Sequence, residues 1–136
     1  KKQSFLEKVM LWVRGNLFIP DARVFWVKPS VAYLENYIRE NEIDTIITSG
    51  PPHSLHLIGL ELKQKMNLKW LADFRDPWTT IGYHKSLRLS QYAAKKHKQL
   101  ERQVLNTADT IIVTSKTTKA EFQALTTKPI EVITNT

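Results

Sequence analysis

The sequence predicts an α/β fold in which a parallel sheet of about four strands is flanked by helices. Short β-branched runs alternate with longer stretches whose apolar residues recur at helical spacing. Each run is continuously apolar, as expected of strands that helices cover on both faces. Strands that alternate with helices are joined by right-handed crossovers, which makes the sheet parallel. Together these features predict a Rossmann-like domain.

Four segments have the composition of strands. They are residues 44–49, 69–74, 109–114 and 130–134. The first and third, D-T-I-I-T-S and D-T-I-I-V-T, almost repeat each other. The segments that follow them do not match, so we interpret the repeat as similar chemistry at similar places and not as a duplication.

Five helices are predicted around these strands, with irregular segments at residues 15–27 and 75–84. In the first helix, Leu6, Val9, Met10 and Val13 form an apolar stripe, and Gly15 is expected to end it. The predicted helices are residues 4–14, one from Pro29 or Ser30 to Asn41, one capped by Ser54 and ending near Met66, one at 86–106, and a short one capped by Ser115 or Thr118 and ending near Leu125. Thr118 and Glu121 have the spacing of a capping box.

Composition indicates one soluble globular domain. The chain has 136 residues, of which 42% are hydrophobic and 24% charged. It has no cysteine, no apolar run that approaches the roughly 20 residues of a spanning helix, and no signal-peptide pattern at its start. A cytoplasmic location is therefore expected. The chain opens on Lys1 without Met and stops after a predicted strand, so we expect a piece of a longer protein.

The net charge of +7 indicates an anionic partner: nucleic acid, an anionic membrane surface or a phosphorylated small molecule. Arg88, Lys95, Lys98 and Arg102 lie off the apolar face of the long predicted helix. They form either a solvated face or a patch that docks on an anionic membrane or substrate. No Walker A, G-x-G-x-x-G, zinc-finger or RNA-recognition spacing occurs, so nucleic acid is not expected as a partner. No H-E-x-x-H or G-x-S-x-G occurs, so neither a metal site nor a serine nucleophile is predicted.

The candidate site lies where the predicted strands end. Ligands of open α/β sheets bind beyond the carboxyl ends of the strands. This rule brings S-G-P-P-H-S, R-D-P-W-T and T-S-K-T-T, at residues 49–54, 75–79 and 114–118, to one edge. The predicted cleft residues are Ser49, Gly50, His53, Ser54, Arg75, Asp76, Trp78 and Ser115.

In the first segment, Gly50 permits close backbone approach, and the amides of the following helix are expected to form an anion site. His53 either contacts a phosphate or sugar hydroxyl, acts as an acid or base, or is a solvent-exposed residue of a rigid loop. His56, one turn further on, is interpreted as a packing residue.

In the second segment, Arg75 offers a planar fork of donors for phosphate or carboxylate. Asp76 either pairs with Arg75 or accepts from a sugar hydroxyl, and Asp73 is expected to be buried and paired. Trp78 is either a platform on which a sugar stacks or a buried aromatic.

Four segments together resemble the N-terminal domain of bacterial glycosyltransferases of family 4. They are R-G-N-L-F-I-P-D-A-R (14–23), T-S-G-P-P-H-S-L-H-L-I-G (48–59), K-W-L-A-D-F-R-D-P-W-T (69–79) and L-E-R-Q-V-L-N-T-A-D-T-I-I-V-T-S (100–115). The resemblance covers most of the chain, with the segments in the family's order. It implies a GT-B enzyme that retains anomeric configuration, needs no metal or other cofactor, and transfers a sugar from a nucleotide-sugar donor to a saccharide or lipid-linked acceptor.

The same resemblance implies that residues 1–136 are the second half of an acceptor-side domain. The C-terminal donor-binding domain and the first strand with its Gly-rich loop are then absent, and the fragment alone is expected to be inactive. Arg75 stands where several relatives have a cleft histidine, a departure that leaves its role open. No catalytic residue is predicted.

Three further expectations follow. The enzyme is expected to be peripheral at the inner face of the membrane, and the fragment is expected to self-associate through an unpaired sheet edge. The alternative function is a non-catalytic nucleotide- or anion-binding α/β module whose basic helix binds an acidic partner.

Overall fold

The fold is an open α/β sheet with helices between its strands. The structure is a computed structural model, and it describes residues 2–80 and 89–135. The helices are α1 (Phe5–Leu17), α2 (Val27–Glu40), α3 (Ser54–Lys65), α4 (Gln91–Thr107) and α5 (Lys116–Gln123), with a 3₁₀ helix at Val24–Trp26. The strands are β1 (Thr45–Gly50), β2 (Lys69–Phe74), β3 (Thr110–Val113) and β4 (Ile130–Val132).

The four strands pair in parallel in the order β1-β2-β3-β4. Ser49 is level with Asp73 and Gly50 with Phe74, while Phe74 is level with Val113, so the carboxyl ends of the first three strands meet at one edge. The predicted fold class is confirmed, and each strand lies within two residues of its predicted bounds. In the described part of the chain no helix is both long and apolar enough to cross a membrane.

Burial of apolar side chains in two clusters stabilises this arrangement. The larger cluster joins β2, β3 and β4 to α4 and α5 and contains Trp70, Phe74 and Phe122, whereas the smaller one joins α2 to α3. Gly59 permits α3 to approach β2, because a Cβ at that position would lie 2.5 Å from the Trp70 ring. The sheet edge that holds the candidate site therefore rests on a well-packed core.

The first helix does not end at Gly15 as predicted, because its last turn is docked on α4. The side chain of Asn16 donates to the carbonyl of Trp12 (2.8 Å) and accepts from the amide of Ser90 (2.6 Å). Both Gly15 and Asn16 are buried. Tertiary contacts thus override the weak helix propensity of the Gly-Asn pair. The prediction that residues 15–27 are irregular is correspondingly wrong for residues 15–17 and for the helical turns that begin at Val24.

The helix starts agree with the predictions only in part, and α2 begins at Val27 rather than at Pro29 or Ser30. His53, not Ser54, occupies the N-cap position of α3. Ser115 caps α5 by accepting from the amide of Thr118 at 3.1 Å, so the predicted capping box at Thr118 does not form. A capping box does occur at Ser4 and Glu7, at the start of α1. The predicted start of the long helix at 86 lies outside the described residues, and the described helix is capped by Ser90.

Candidate functional site

A cleft of about 420 Å³ lies at the carboxyl ends of β1 and β2. One wall is the loop after β1, the second is the loop after β2, and the third is the end of α1 with the segment that follows it. Ten residues line it: Arg14, Pro20, Asp21, Ala22, Arg23, Pro51, Pro52, His53, Asp76 and Trp78. Of the predicted cleft residues, His53, Asp76 and Trp78 therefore line one cavity.

His53 is half-buried and stacks on Trp78, with ring centroids 5.0 Å apart and planes 3° from parallel. Trp78 is 1% exposed, and its indole N–H donates to Nδ1 of His97 at 3.2 Å. The structure thus shows a buried aromatic rather than an open platform at position 78. His53 is correspondingly part of the cleft wall, and the alternative of a solvent-exposed histidine is wrong.

His97 extends this contact to the end of α1. Its Nδ1 accepts from Trp78, so the ring proton of the neutral imidazole lies on Nε2 and points to the carbonyl of Gly15, 3.3 Å away. Burial lowers the pKa of His97, although the Gly15 carbonyl and the nearby Asp21 act in the opposite direction. The neutral tautomer thus connects α1 to the loop after β2.

At the start of α3, a carboxylate from a distant segment accepts hydrogen bonds from the first residue of the helix. One carboxylate oxygen of Asp21 accepts from the amide of Ser54 at 2.9 Å, and the other accepts from the Ser54 hydroxyl and from the amide of Arg23. The amides of Leu55 and His56 donate to Pro52 and His53 carbonyls. An anion site made of free amides at this helix start was therefore a wrong prediction, because the protein's own groups occupy those amides.

Gly50 is required by the two imidazoles that approach it. A Cβ there would lie 2.7 Å from Nε2 of His56 and 3.2 Å from Nδ1 of His53. His56 is buried, and its Nδ1 lies 2.8 Å from the Thr48 hydroxyl, which accepts from the indole of Trp70 at 2.9 Å. Burial, and to a lesser extent the neighbouring His53, lowers the pKa of His56 to about 3. His56 is thus a neutral packing residue, as predicted.

The loop after β2 is fixed by Glu101, which the sequence analysis did not single out. Its carboxylate accepts from the amide (3.0 Å) and the hydroxyl (2.8 Å) of Thr79. Glu101 is buried, and this burial raises the pKa of its carboxyl group, while the bonds from Thr79 act against the rise. Asp76 is thereby held at the cleft between two anchored neighbours, Trp78 and Phe74.

Arg75 and Asp76 do not form an ion pair with each other; within residues 2–80 and 89–135 the ion pairs are Lys63–Asp109 and Lys65–Glu35. Arg75 is exposed, and its guanidinium donates to the carbonyl of Pro51 at 3.3 Å. Asp76 is exposed at the cleft. Its carboxylate is therefore available for a ligand hydroxyl.

The remaining predicted residues support the edge without lining the cavity. Asp73 accepts from the hydroxyl of Ser49 at 2.8 Å, in agreement with its predicted pairing, but it is half-buried and not buried as expected. Ser54 is held by Asp21, and Ser115 is the cap of α5. Their roles in ligand binding stay predictions.

Two cations of the cleft, Arg14 and Arg23, were not predicted. Both are exposed, and both belong to R-G-N-L-F-I-P-D-A-R, a segment whose periodicity gives no helix or strand over most of its length. Three charges in ten residues beside a proline turn were the signal that could have indicated them. The described residues contain no cluster of three His, Asp or Glu side chains that could hold a metal ion.

A larger groove of about 680 Å³ lies between α4 and α5. Lys95, Lys98 and Arg102 stand at its rim, and Phe122 and Leu125 are among its apolar lining. This groove contains none of the eight predicted cleft residues, so the smaller cleft at the carboxyl ends of the strands is the better candidate for substrate.

The parallel α/β sheet, with a charged cleft beyond its strand ends, is a domain of the Rossmann-like class. The family model described as Glycosyltransferase Family 4 matches residues 3–136 of the chain. The protein therefore belongs to glycosyltransferase family 4, in agreement with the resemblance noted above. No curated protein and no solved structure shows significant similarity to it.

Proposed function

We propose that this chain is the acceptor-side part of a glycosyltransferase that moves a sugar from a nucleotide-sugar donor to a saccharide or lipid-linked acceptor. The observation that carries the proposal is the position of the cleft, at the strand ends of a family 4 domain and lined by polar groups suited to a sugar. The complete enzyme is proposed to be of the GT-B type and to retain anomeric configuration without a metal.

The chemistry of the cleft supports binding more than bond cleavage. Asp21 is engaged by Ser54 and Arg23, which leaves Asp76 as a carboxylate that can accept from a sugar hydroxyl. His53 presents an imidazole whose ring is fixed on Trp78. We propose that these two side chains orient the acceptor, and that donor binding and catalysis need a further domain, so that this chain alone is inactive.

The proposed setting is the cytoplasmic side of a membrane, where nucleotide sugars and a lipid-linked acceptor meet. The charge of +7 supports a contact with an anionic surface.

The test uses a polypeptide that contains this chain and the donor domain. Transfer from labelled UDP-, GDP- and dTDP-sugars to a membrane extract is measured for the parent, Asp76→Asn and His53→Gln. Loss of a hydrogen bond from an acceptor hydroxyl to Asp76 should raise the acceptor KM by about 10- to 100-fold, with the donor KM unchanged.

Asp44→Asn is the matched control, because Asp44 precedes the opposite end of β1 and its carboxylate accepts from the Thr45 hydroxyl at 2.8 Å. Equal activity of Asp76→Asn, His53→Gln and the control would refute the assignment of the cleft. Transfer by the 136-residue chain alone would refute the proposed division between two domains.

The second candidate, a non-catalytic anion-binding module, is favoured by one observation. Lys95, Lys96, Lys98 and Arg102 of α4 are exposed, and three of them border the large groove between α4 and α5. Calorimetric titration of the chain with a nucleotide and with inorganic phosphate tests it. Binding that Lys98→Gln and Arg102→Gln abolish, without any transfer by the longer polypeptide, would favour this candidate.

A further inference from the structure

Helix α1 presents an apolar face that the rest of the described fold does not cover. At about 100° per residue, its exposed apolar side chains fall within roughly 160° of the helix circumference. They are Phe5, Leu6, Val9, Met10, Trp12 and Leu17. Phe5 is 83% exposed, although a phenylalanine of a soluble domain is normally buried. A contiguous apolar surface of this kind indicates an interaction site.

The 3₁₀ helix extends this surface beyond α1. Phe18 meets Phe25 edge to face, with ring centroids 5.8 Å apart, and Trp26 beside it is 62% exposed. A groove of about 540 Å³ runs along α1 and reaches Phe18 and Ala22. We name the exposed apolar residues of α1, together with Phe25 and Trp26, the α1 face.

The net charge around the α1 face is positive. Lys2, Lys8, Arg14, Arg23 and Lys28 are all exposed, and none of them forms an ion pair with another described residue. The nearby acids, Glu7 and Asp21, are fewer than these five cations, so the surroundings of the α1 face carry a net positive charge.

This combination favours a lipid surface over a second copy of the chain as the occupant. A symmetric dimer would place the same five cations on both sides of one interface, where their repulsion opposes association. An anionic bilayer offers an apolar interior for the aromatic and aliphatic side chains and negative headgroups for the cations around them. Helix α4 has cations as well, but Tyr92 is its one large apolar side chain that is exposed in the described residues.

We propose that the α1 face docks on an anionic phospholipid bilayer and inserts Phe5, Met10, Trp12 and Trp26 at the boundary between headgroups and acyl chains. Arg14 lines both the groove along α1 and the cleft at the strand ends. Docking therefore brings the cleft to the edge of the bilayer. It does not depend on sugar transfer, and either proposal stands if the other fails.

The tryptophans provide an internal reporter. Trp12 and Trp26 are 45% and 62% exposed, whereas Trp70 and Trp78 are 0% and 1% exposed in the core. The chain is mixed with vesicles of phosphatidylcholine alone or with 30% phosphatidylglycerol, roughly the anionic content that gives a strong surface potential. We expect a blue shift and quenching by brominated acyl chains with the anionic vesicles, and loss of both signals in Trp12→Phe/Trp26→Phe.

Affinity is compared in a pair of double variants that carry the same change in charge. Phe5→Glu/Met10→Glu places two acids on the α1 face, whereas Tyr33→Glu/Tyr92→Glu places them on exposed aromatic positions of α2 and α4. Loss of inserted apolar area should weaken the vesicle partition coefficient at least about tenfold more in the first variant than in the second. Thermal melts confirm that both variants fold.

Four results would overturn the proposal. The first is that the parent chain fails to bind anionic vesicles. The second is that the two double variants lose affinity equally, which would mean that charge alone explains the binding. The third is that light scattering without lipid shows a dimer that Phe5→Glu/Met10→Glu converts to a monomer, which would mean that a second copy covers the face. The fourth is that Trp12 and Trp26 are shielded from acrylamide without lipid in a longer polypeptide that contains this chain, which would mean that protein covers the face.

Discussion

The imidazole of His53 lies parallel to the indole of Trp78, and the N–H of that indole donates to His97. A residue of the cleft wall is thus supported by a buried tryptophan that is itself oriented by a histidine of the long helix. The position of the His53 ring therefore depends on the hydrogen bond between Trp78 and His97.

Trp78→Phe should destabilise the fold while leaving an aromatic ring under His53. The change removes the donor to Nδ1 of His97, a buried acceptor, and an unsatisfied buried group costs about 1–3 kcal/mol. Urea denaturation measures the free energy of unfolding. Trp26→Phe, at an exposed position, is the matched control and should change it by less than about 0.5 kcal/mol. Equal effects of the two variants would contradict the role of the Trp78 hydrogen bond.

Glu101→Ala should loosen the loop after β2. The change removes the acceptor of the Thr79 amide and hydroxyl, and hydrogen bonds to a charged group are worth about 1.5–3 kcal/mol each. Hydrogen exchange of the Thr79 amide should become faster, and the protein should be less stable. The control is Glu121→Ala, which removes an exposed carboxylate that accepts from Thr80 nearby. Unchanged exchange of the Thr79 amide in Glu101→Ala would show that other contacts fix the loop.

Stability should decrease as the pH falls below about 6.5, the pKa of histidine in unfolded chains. The folded-state pKa values of His56 and His97 are lowered, so below pH 6.5 the unfolded state binds more protons than the folded state. Between pH 7.5 and 5.5 each histidine contributes a loss of up to about 1.4 kcal/mol. For His56, whose folded pKa is about 3, this loss continues below pH 5.5.

Urea denaturation at the two pH values measures the loss. His97→Gln should retain only the part that comes from His56. The raised pKa of Glu101 acts in the opposite direction, since protonation of this carboxyl group favours the folded state at low pH, and the comparison therefore ends at pH 5.5. A stability that does not change over this range would refute the neutral state of both rings.

Gly50→Ala should destabilise the fold, and shortening His56 should relieve part of the effect. The added methyl group would lie 2.7 Å from Nε2 of His56, and overpacking of this kind costs about 1–3 kcal/mol. A double-mutant cycle with His56→Ala measures the coupling between the two positions. We expect a coupling of about 1 kcal/mol or more, whereas additive effects would show that the methyl group clashes elsewhere.

The chain should self-associate through β1, which pairs on one side with β2 and lies at an edge of the described sheet. Ile47 of this strand is exposed. A charge on an edge strand opposes pairing with another chain, so Ile47→Lys should shift the population toward monomer in light scattering. Ile133→Lys, an exposed position next to the three-residue strand β4, is the matched control. A monomeric parent chain would contradict the prediction.

The sequence predicted the sheet well because strands leave a local signal. Runs such as T-I-I-T-S and W-L-A-D-F combine β-branched and apolar residues, and their alternation with helices indicates the parallel pairing that the structure shows. The end of α1 was missed because Asn16 is held in the helix by Ser90, 74 positions away. No local pattern contains that contact.

The candidate site was predictable in its location and only partly in its members. The rule for strand ends brought His53, Asp76 and Trp78 to one place, and the cleft contains all three. Asp21 reaches the start of α3 across 33 positions, and Arg14 and Arg23 come from a segment without strand periodicity. Such residues join the site through folding back of the chain, which spacing along the sequence does not reveal.

The docked end of α1 has a mechanical consequence. Asn16 is fixed by the Ser90 amide and Gly15 by His97, so α1 cannot turn about its own axis without breaking two hydrogen bonds in the interior. The direction in which its side chains point is therefore set by α4 and not by whatever the helix meets. If α1 lies along a surface, the tilt of the whole sheet relative to that surface is therefore fixed. The angle between the surface and the opening of the cleft is fixed with it.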